Sequence, residues 1–284
     1  MQIRDVMTRS VITAPPSMSL ALAQRLMAEH RIRHLPVLQE GQLQGLLSDR
    51  DLRQALPSPA TLLTPAELTY KLSTIAIAAC MTREVVTLPA EAAMLQGARQ
   101  LLDGLYGCVP VLSAGRLVGI LTATDVLRGL LLDLGCTAAR LPVRLYMQYA
   151  PLTARPEDWL SQVQQRMHSA EVRHVPIVTA DGKLAGLLSD RDLRQAGAST
   201  LPLLSRYEAP LTLMTMTVRE LMRTEVMTVN GESTLADAGQ CLLEHKIGCL
   251  PVLQQDRTLV GIVTVLDLVR AYVVGQRAGA DRAP

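Results

Sequence analysis

GLLSDRD at 45–51 returns as GILTATD at 119–125, again as GLLSDRD at 186–192 and as GIVTVLD at 261–267. All four stretches fit the pattern Gly-x-x-Ser/Thr-x-x-Asp. Asp51 and Asp125 are 74 residues apart and Asp192 and Asp267 are 75 apart, while Asp51 to Asp192 and Asp125 to Asp267 span 141 and 142. The chain is therefore a duplicated pair of repeats, and such periodicity takes precedence over any local reading. Other landmarks keep phase: Met7, Met81, Met147 and Met222 open the repeats, and Pro36, Pro110, Pro176 and Pro251 each precede a short apolar run.

A length of 284 residues divides near residue 140 into two halves, each of about one domain. With 49% hydrophobic residues, no Phe and one Trp, the core must be built from Leu, Val, Ile, Ala and Met. So few aromatics leave almost no stacking platform for single-stranded nucleic acid. The net charge of +2 arises from 28 basic and 26 acidic residues without a basic block, so charge points to neither a nucleic acid nor a membrane surface. The N-terminal MQIRDVMTRSVITAP has no apolar signal region, and no stretch has the length of a membrane span, so a soluble cytoplasmic protein is expected. Five cysteines without a C-x-x-C pair fit reduced thiols, with Cys108 and Cys249 read as small buried residues.

Within the first repeat, Ser19 to His30 carries Leu20, Ala23, Leu26 and Met27 at helical spacing. LPVL at 35–38 and LQGLL at 43–47 flank the turn QEGQ, and a second helix starts at Ser48. With a short strand near VIT at 11–13, the order is strand, helix, strand, strand, helix. A repeat of this size is marginal alone, so burial should come from pairing two repeats face to face. The connectors Gln54 to Ala79 and Gln195 to Leu221 should be partly structured. The tail 276–284 has little apolar content and should fray.

Each motif joins a strand to a helix, which puts Ser48, Thr122, Ser189 and Thr264 at N-caps and the aspartates at the third helical position. Two readings stand side by side. Hydroxyl and acid can cap the helix like a capping box, satisfying free backbone donors. Alternatively they can bind the vicinal hydroxyls of a ribose through charge-assisted hydrogen bonds of roughly 1.5 to 3 kcal/mol each, at a helix N-terminus suited to anions. The acid is Asp in every copy and never the longer Glu or Gln, and a short carboxylate directed outward suits a ligand.

Basic residues recur only in the odd repeats: Arg33, His34 and Arg50 in the first, Arg173, His174 and Arg191 in the third. The even repeats carry Gly107 and Cys108, or Gly248 and Cys249, instead. An Arg fork matches phosphate oxygens, although each arginine also has Asp49 or Asp190 nearby as an ion-pair partner.

With these residues in view, the four repeats resemble cystathionine-beta-synthase (CBS) domains and each pair resembles a Bateman module. The carriers are the opening Met, VIT with Pro15, RHLPV or GCVPV, and G-x-x-S/T-x-x-D. The stretch SDRDLRQALPSPAT also resembles stand-alone bacterial CBS proteins of the acetoin-utilisation type. The resemblance implies an α/β fold of four βαββα repeats in two pseudo-twofold Bateman modules. The first module is 1–138, with repeats 1–57 and 75–135. The second is 139–275, with repeats 141–198 and 216–275, followed by a disordered tail at 276–284. It further implies clefts between paired repeats that bind AMP, ADP or ATP, with S-adenosylmethionine ranked after them and Mg as a companion of ATP left open. By position, Ser48, Asp51, Thr122, Asp125, Ser189, Asp192, Thr264 and Asp267 match the family's ribose ligands. Arg33, His34, Arg50, Arg173, His174 and Arg191 match its phosphate contacts, and Thr13, Thr87, Thr153 and Thr228 its base pocket. The third repeat departs from the pattern after its Met, in MQYAPLTARPEDW.

Catalytic patterns are missing: the five histidines form no H-E-x-x-H, and there is no G-x-S-x-G elbow or P-loop. A non-enzymatic regulatory sensor of adenine nucleotides that signals to an effector protein in trans is the leading expectation. The rival is a ligand-free scaffold or oligomerisation module whose acids only cap helices. A monomeric disc and a homodimer both fit the repeat plan.

Overall fold

The computed structural model describes residues 1–55, 65–104, 107–133, 137–193 and 215–280. The loop-forming stretches LPSPAT and AGASTLP lie outside the described residues, as does Cys136. Two compact units emerge, Met1–Cys136 with Tyr272–Pro284, and Thr137–Ala271.

In the first unit, the helix Leu20–Glu29 starts where Ser19 accepts a hydrogen bond from the Leu22 amide at 3.3 Å. Its apolar stripe of Leu20, Ala23 and Met27 is buried. The strands His34–Gln39 and Gln42–Ser48 form an antiparallel hairpin. Glu40 and Gly41 both take positive φ, 54° and 79°, and Ala114 and Gly115 do the same in the second repeat at 48° and 74°. Such turns match the twist of the flanking strands. The expected strand at 11–13 shrinks to a single parallel bridge one residue later, between Ala14 and Val37. Its counterpart in the second repeat is a two-residue strand, Leu88–Pro89. The second repeat continues with the helix Met94–Asp103, the hairpin Cys108–Ser113 and Arg116–Thr122, and the helix Ala123–Leu132.

The second unit repeats this plan with the helix Leu160–Ser169, the hairpin His174–Val178 and Leu184–Ser189, the helix Leu235–Glu244, and the hairpin Cys249–Leu253 and Leu259–Thr264. All four hairpins carry a register shift at one equivalent point, Val37/Leu38, Val111/Leu112, Ile177/Val178 and Val252/Leu253. The last helix runs Val265–Ala280, so the helix enters the tail expected to fray. Extending an established helix adds one hydrogen bond per residue fixed, which a short stretch containing alanines can follow.

The repeats of a pair are not separate bodies. Residues at the start of one repeat complete the other: the Ile3 and Arg4 amides bond to the carbonyls of Ala92 and Ala90, and Thr8 pairs with Ile120. Reciprocally, Leu20 and Ile77 are tied to Ile75 and Met18, and Thr82 pairs with Leu46. The second unit does likewise. Val143 and Arg144 bond to Ser233 and Gly231, the strand Gln148–Tyr149 adds to the sheet of the fourth repeat, and Arg223 pairs with Leu187. Ile3, Ile77, Val143 and Val218, one from each crossing segment, are fully buried. Burial of a side chain of this size stabilises by roughly 1.5 to 3 kcal/mol, so much of the pairing energy comes from exchanged segments.

Candidate functional site

The crossing segments explain the glycine of the motif. At Gly45, Gly119, Gly186 and Gly261, a Cβ would lie 2.8, 2.5, 2.9 and 2.8 Å from the Sδ of Met81, Met7, Met222 and Met147 respectively. The carbonyl of the next residue, Thr82, Thr8, Arg223 or Gln148, lies 2.7 to 3.0 Å from the same point. Each opening Met therefore seats on the motif glycine of the partner repeat, leaving no room for a side chain.

The hydroxyl and acid follow the glycine at the end of the strand and the start of the following helix. At Asp51, Oδ2 accepts from the Ser48 amide and the Ser48 hydroxyl, both at 2.7 Å, and the Asp51 amide donates to Ser48 Oγ at 3.2 Å. Asp125 repeats the box with Thr122 at 2.9, 2.6 and 3.4 Å, and Asp192 makes the same three bonds with Ser189. Asp267 Oδ2 accepts from the Thr264 amide and hydroxyl at 2.9 and 2.6 Å. The outward carboxylate expected from the choice of Asp is thus corrected. Aspartate reaches back to the N-cap, because the hydroxyl and amide both converge on one oxygen.

At three of the acids the crossing segment reaches the carboxylate. Thr8 donates to Asp125 Oδ1 at 3.1 Å, Arg223 Nε donates to Asp192 Oδ1 at 2.8 Å, and Gln148 Nε2 lies 3.4 Å from both oxygens of Asp267. In each case the donor is the residue after the opening Met of the partner repeat. The even repeats add an arginine from their own helix, Arg128 to Asp125 and Arg270 to Asp267, each at 3.1 Å. Asp125, Asp192 and Asp267 are buried, whereas Asp51 is half-buried. Each capping hydroxyl keeps acceptor capacity, while Oδ1 of Asp125, Asp192 and Asp267 already takes two donors, so a ligand hydroxyl that reaches this oxygen replaces a donor from the crossing segment.

The basic residues gather at the same mouths in the odd repeats. His34 is the cross-strand partner of Ser48, and His174 of Ser189, so each histidine shares a sheet face with the capping hydroxyl. The Asp49 amide donates to the Arg33 carbonyl at 3.0 Å and the Asp190 amide to the Arg173 carbonyl at 2.9 Å, tying the RH segment to the helix start. Arg33, Arg50, Arg173 and Arg191 have exposed side chains.

The structure also accounts for the odd and even alternation. A Cβ on Gly107 would lie 2.2 Å from His34 Nε2, and one on Gly248 2.9 Å from His174 Cε1. The histidine of one repeat covers the glycine of its partner, so both repeats of a pair cannot carry RH without collision. Beside these glycines, burial pushes the thiols of Cys108 and Cys249 up to about 12, with the charge of Arg33 pulling Cys108 the other way. Thiols held there carry almost no thiolate near neutrality, consistent with packing residues.

Thr13, Thr87, Thr153 and Thr228 each stand one residue ahead of the residue that pairs in parallel with the hairpin of its own repeat, outside the ladder itself. Thr13, Thr87 and Thr153 are half-buried, and Thr228 is exposed. Two grooves open in the second unit, one of about 770 Å³ lined by Arg144, Tyr149, Glu232 and Asp256 among others, and one of about 290 Å³ lined by Val226, Thr228, Asn230 and Arg257 among others. Of the residues expected to bind ligand, Thr228 lines the smaller groove, and the hydroxyl–acid mouths lie elsewhere. Among the described residues no three His, Cys, Asp or Glu side chains gather as metal ligands, and no helix is long and apolar enough to cross a membrane.

Sequence reasoning passed over the residue after each opening Met, which delivers Thr8, Gln148 and Arg223 to the acids. The signal was present as a position that changes identity, Thr, Thr, Gln and Arg, inside an otherwise regular repeat.

Comparison with known proteins agrees with this plan. The family model for the CBS domain matches four times, at residues 3–58, 76–132, 143–199 and 218–274. The uncharacterized protein MJ1404 of Methanocaldococcus jannaschii is 24% identical over 98% of this chain, which spans 63% of that protein's length. MJ1225 from the same organism is 22% identical over 93% of this chain and 96% of its own. Its crystal structure superimposes with a TM-score of 0.78 at 20% identity, covering 95% of this chain and 99% of that one. Two shorter solved chains match about half of the molecule. A candidate acetoin utilization protein (AcuB) from Vibrio cholerae is 30% identical over 51% of this chain and 98% of its own, TM-score 0.44. CBSX2, solved in complex with AMP, is 26% identical over 48% of this chain and 98% of its own, TM-score 0.41.

Proposed function

From the premise that the chain belongs to the CBS-domain family, we propose that it is a regulatory sensor of adenine nucleotides. AMP, ADP or ATP binds at the hydroxyl–acid mouths between paired repeats, and the change is read by an effector protein in trans. The observation that carries this reading is the division of labour within Asp125 and Asp192: Oδ2 closes the helix, while Oδ1 meets the residue after the opening Met of the partner repeat, and Asp267 is reached by its counterpart Gln148. A ribose bound to Oδ1 therefore contacts both repeats of a pair at once. A ligand shifts a conformational equilibrium only through its different affinity for the two states, and a bond shared by two repeats provides that difference.

In the odd repeats, Arg33, His34 and Arg50, or Arg173, His174 and Arg191, stand beside the hydroxyl where a phosphate chain would emerge. Arg33→Ala or Arg173→Ala is expected to weaken ATP by up to about fivefold, the size suited to a solvent-exposed charge, with little change for adenosine. Isothermal titration of both ligands checks this, and equal losses would contradict the phosphate assignment.

The rival scaffold reading draws on the complete capping boxes, which stabilise each helix without any ligand. Thermal unfolding in the presence of AMP, ADP, ATP, S-adenosylmethionine, NADH and cyclic dinucleotides separates the two. A bound ligand at about 100 times its dissociation constant stabilises by roughly 2.7 kcal/mol. Absence of a shift with every one of them would favour the scaffold.

A further inference from the structure

The four mouths are built from one template, yet what each acid meets from across the pair differs in charge. Asp125 receives the Thr8 hydroxyl and Asp267 the Gln148 amide, both neutral. Asp192 receives a guanidinium: Arg223 Nε and Nη2 both lie 2.8 Å from its Oδ1. The Asp192 side chain is 7% exposed and that of Arg223 59%, so the buried acid is neutralised by a cation that extends to solvent. The Arg223 backbone makes the same crossing pair as its counterparts, with its amide and carbonyl bonded to Leu187 at 2.9 Å. The crossing segment at this mouth therefore differs from its counterparts in the side chain it delivers, not in its backbone pairing.

We propose that Arg223 is a charge gate that makes the Asp192 mouth accept anionic nucleotides and refuse the uncharged nucleoside. The proposal rests on the nucleotide reading above and assigns selectivity to one mouth within it. Ribose hydroxyls that bond to Asp192 Oδ1 must displace the Arg223 fork. Adenosine offers nothing to the displaced cation and leaves a buried carboxylate without its counter-charge, a costly exchange. A phosphorylated ligand supplies oxygens to which the released guanidinium can turn, so the cation passes from acid to phosphate. At Asp125, a ribose hydroxyl replaces the Thr8 hydroxyl like for like, while Arg128 stays on its own helix. That mouth should not discriminate on the same ground.

Arg223→Thr tests the gate, since Thr fills this position in the first two repeats as Thr8 and Thr82 and the side chain takes no part in the crossing pair. Isothermal titration of the full chain with adenosine and with AMP should show one additional adenosine site per chain in R223T, or at least about a tenfold gain in adenosine affinity at one site, the change expected from a charge-assisted hydrogen bond to a buried acid. The double variant R223T/D192N should lose that gain, which places it at this mouth. If wild-type protein binds AMP and R223T leaves the adenosine isotherm unchanged, the gate is wrong while the nucleotide reading stands. If neither protein binds AMP or adenosine, the nucleotide reading falls and takes the gate with it.

Discussion

Asp51→Ala is expected to lower affinity for AMP at its mouth by more than about a hundredfold, and Asp192→Ala to do the same at the equivalent mouth of the third repeat. Two charge-assisted hydrogen bonds to ribose are worth roughly 3 to 6 kcal/mol together, and each 1.4 kcal/mol is about tenfold. The same substitutions remove an Oδ2 that caps a helix, costing about 0.5 to 2 kcal/mol of stability. The two effects are separated by Asp51→Asn, whose amide oxygen can still accept the Ser48 amide while the charge is gone. D51N should melt close to wild type and still bind AMP poorly. An Asp51→Ala protein that loses stability but keeps its AMP isotherm would make the acid a cap and nothing more.

The second large effect concerns the motif glycine. Gly119→Val should destabilise the first unit by about 3 kcal/mol, the upper range for inserting bulk into a filled core, because Met7 Sδ and the Thr8 carbonyl already stand 2.5 and 3.0 Å from the position of its Cβ. In a unit of this size that corresponds to a fall in melting temperature of about 6 to 12 °C. Gly119→Ala should cost less, and Met7→Ala in the same chain should recover part of the loss by clearing the sulfur. A double-mutant cycle by calorimetry measures this coupling. A G119V protein melting with wild type would show that the crossing segment moves aside without cost.

The repeat plan was legible in the sequence because G-x-x-S/T-x-x-D recurs in phase, and because alternating apolar residues around Pro36 and Gly45 define a hairpin in every copy. The helix Leu20–Glu29 and its Ser19 cap followed from local signals alone. What could not be read was where each opening segment goes. Met7 and Thr8 belong by sequence to the first repeat and by hydrogen bonding to the second, and periodicity carries no information about which copy a segment completes. The motif glycine, the odd and even alternation of RH with GC, and the contact of Arg223 with Asp192 all depend on that exchange. Hence their physical reasons became visible only with both repeats in place. The acid was legible as a candidate for two roles, and geometry gives one oxygen to capping and leaves the other at the cleft. The low apolar content of 276–284 argues against packing but not against continuation of the helix, which runs to Ala280.

The traded leading segments also bear on ancestry. A lone copy cut from this chain would present an unfilled strip beside its motif glycine and would carry a hydrophobic arm with no home. Two such fragments satisfy each other by trading arms, as in a domain-swapped dimer. A primordial gene holding one copy would therefore have worked as a twofold self-associate, and its later tandem fusion would have freed the two arms to diverge, as Gln148 and Arg223 have done.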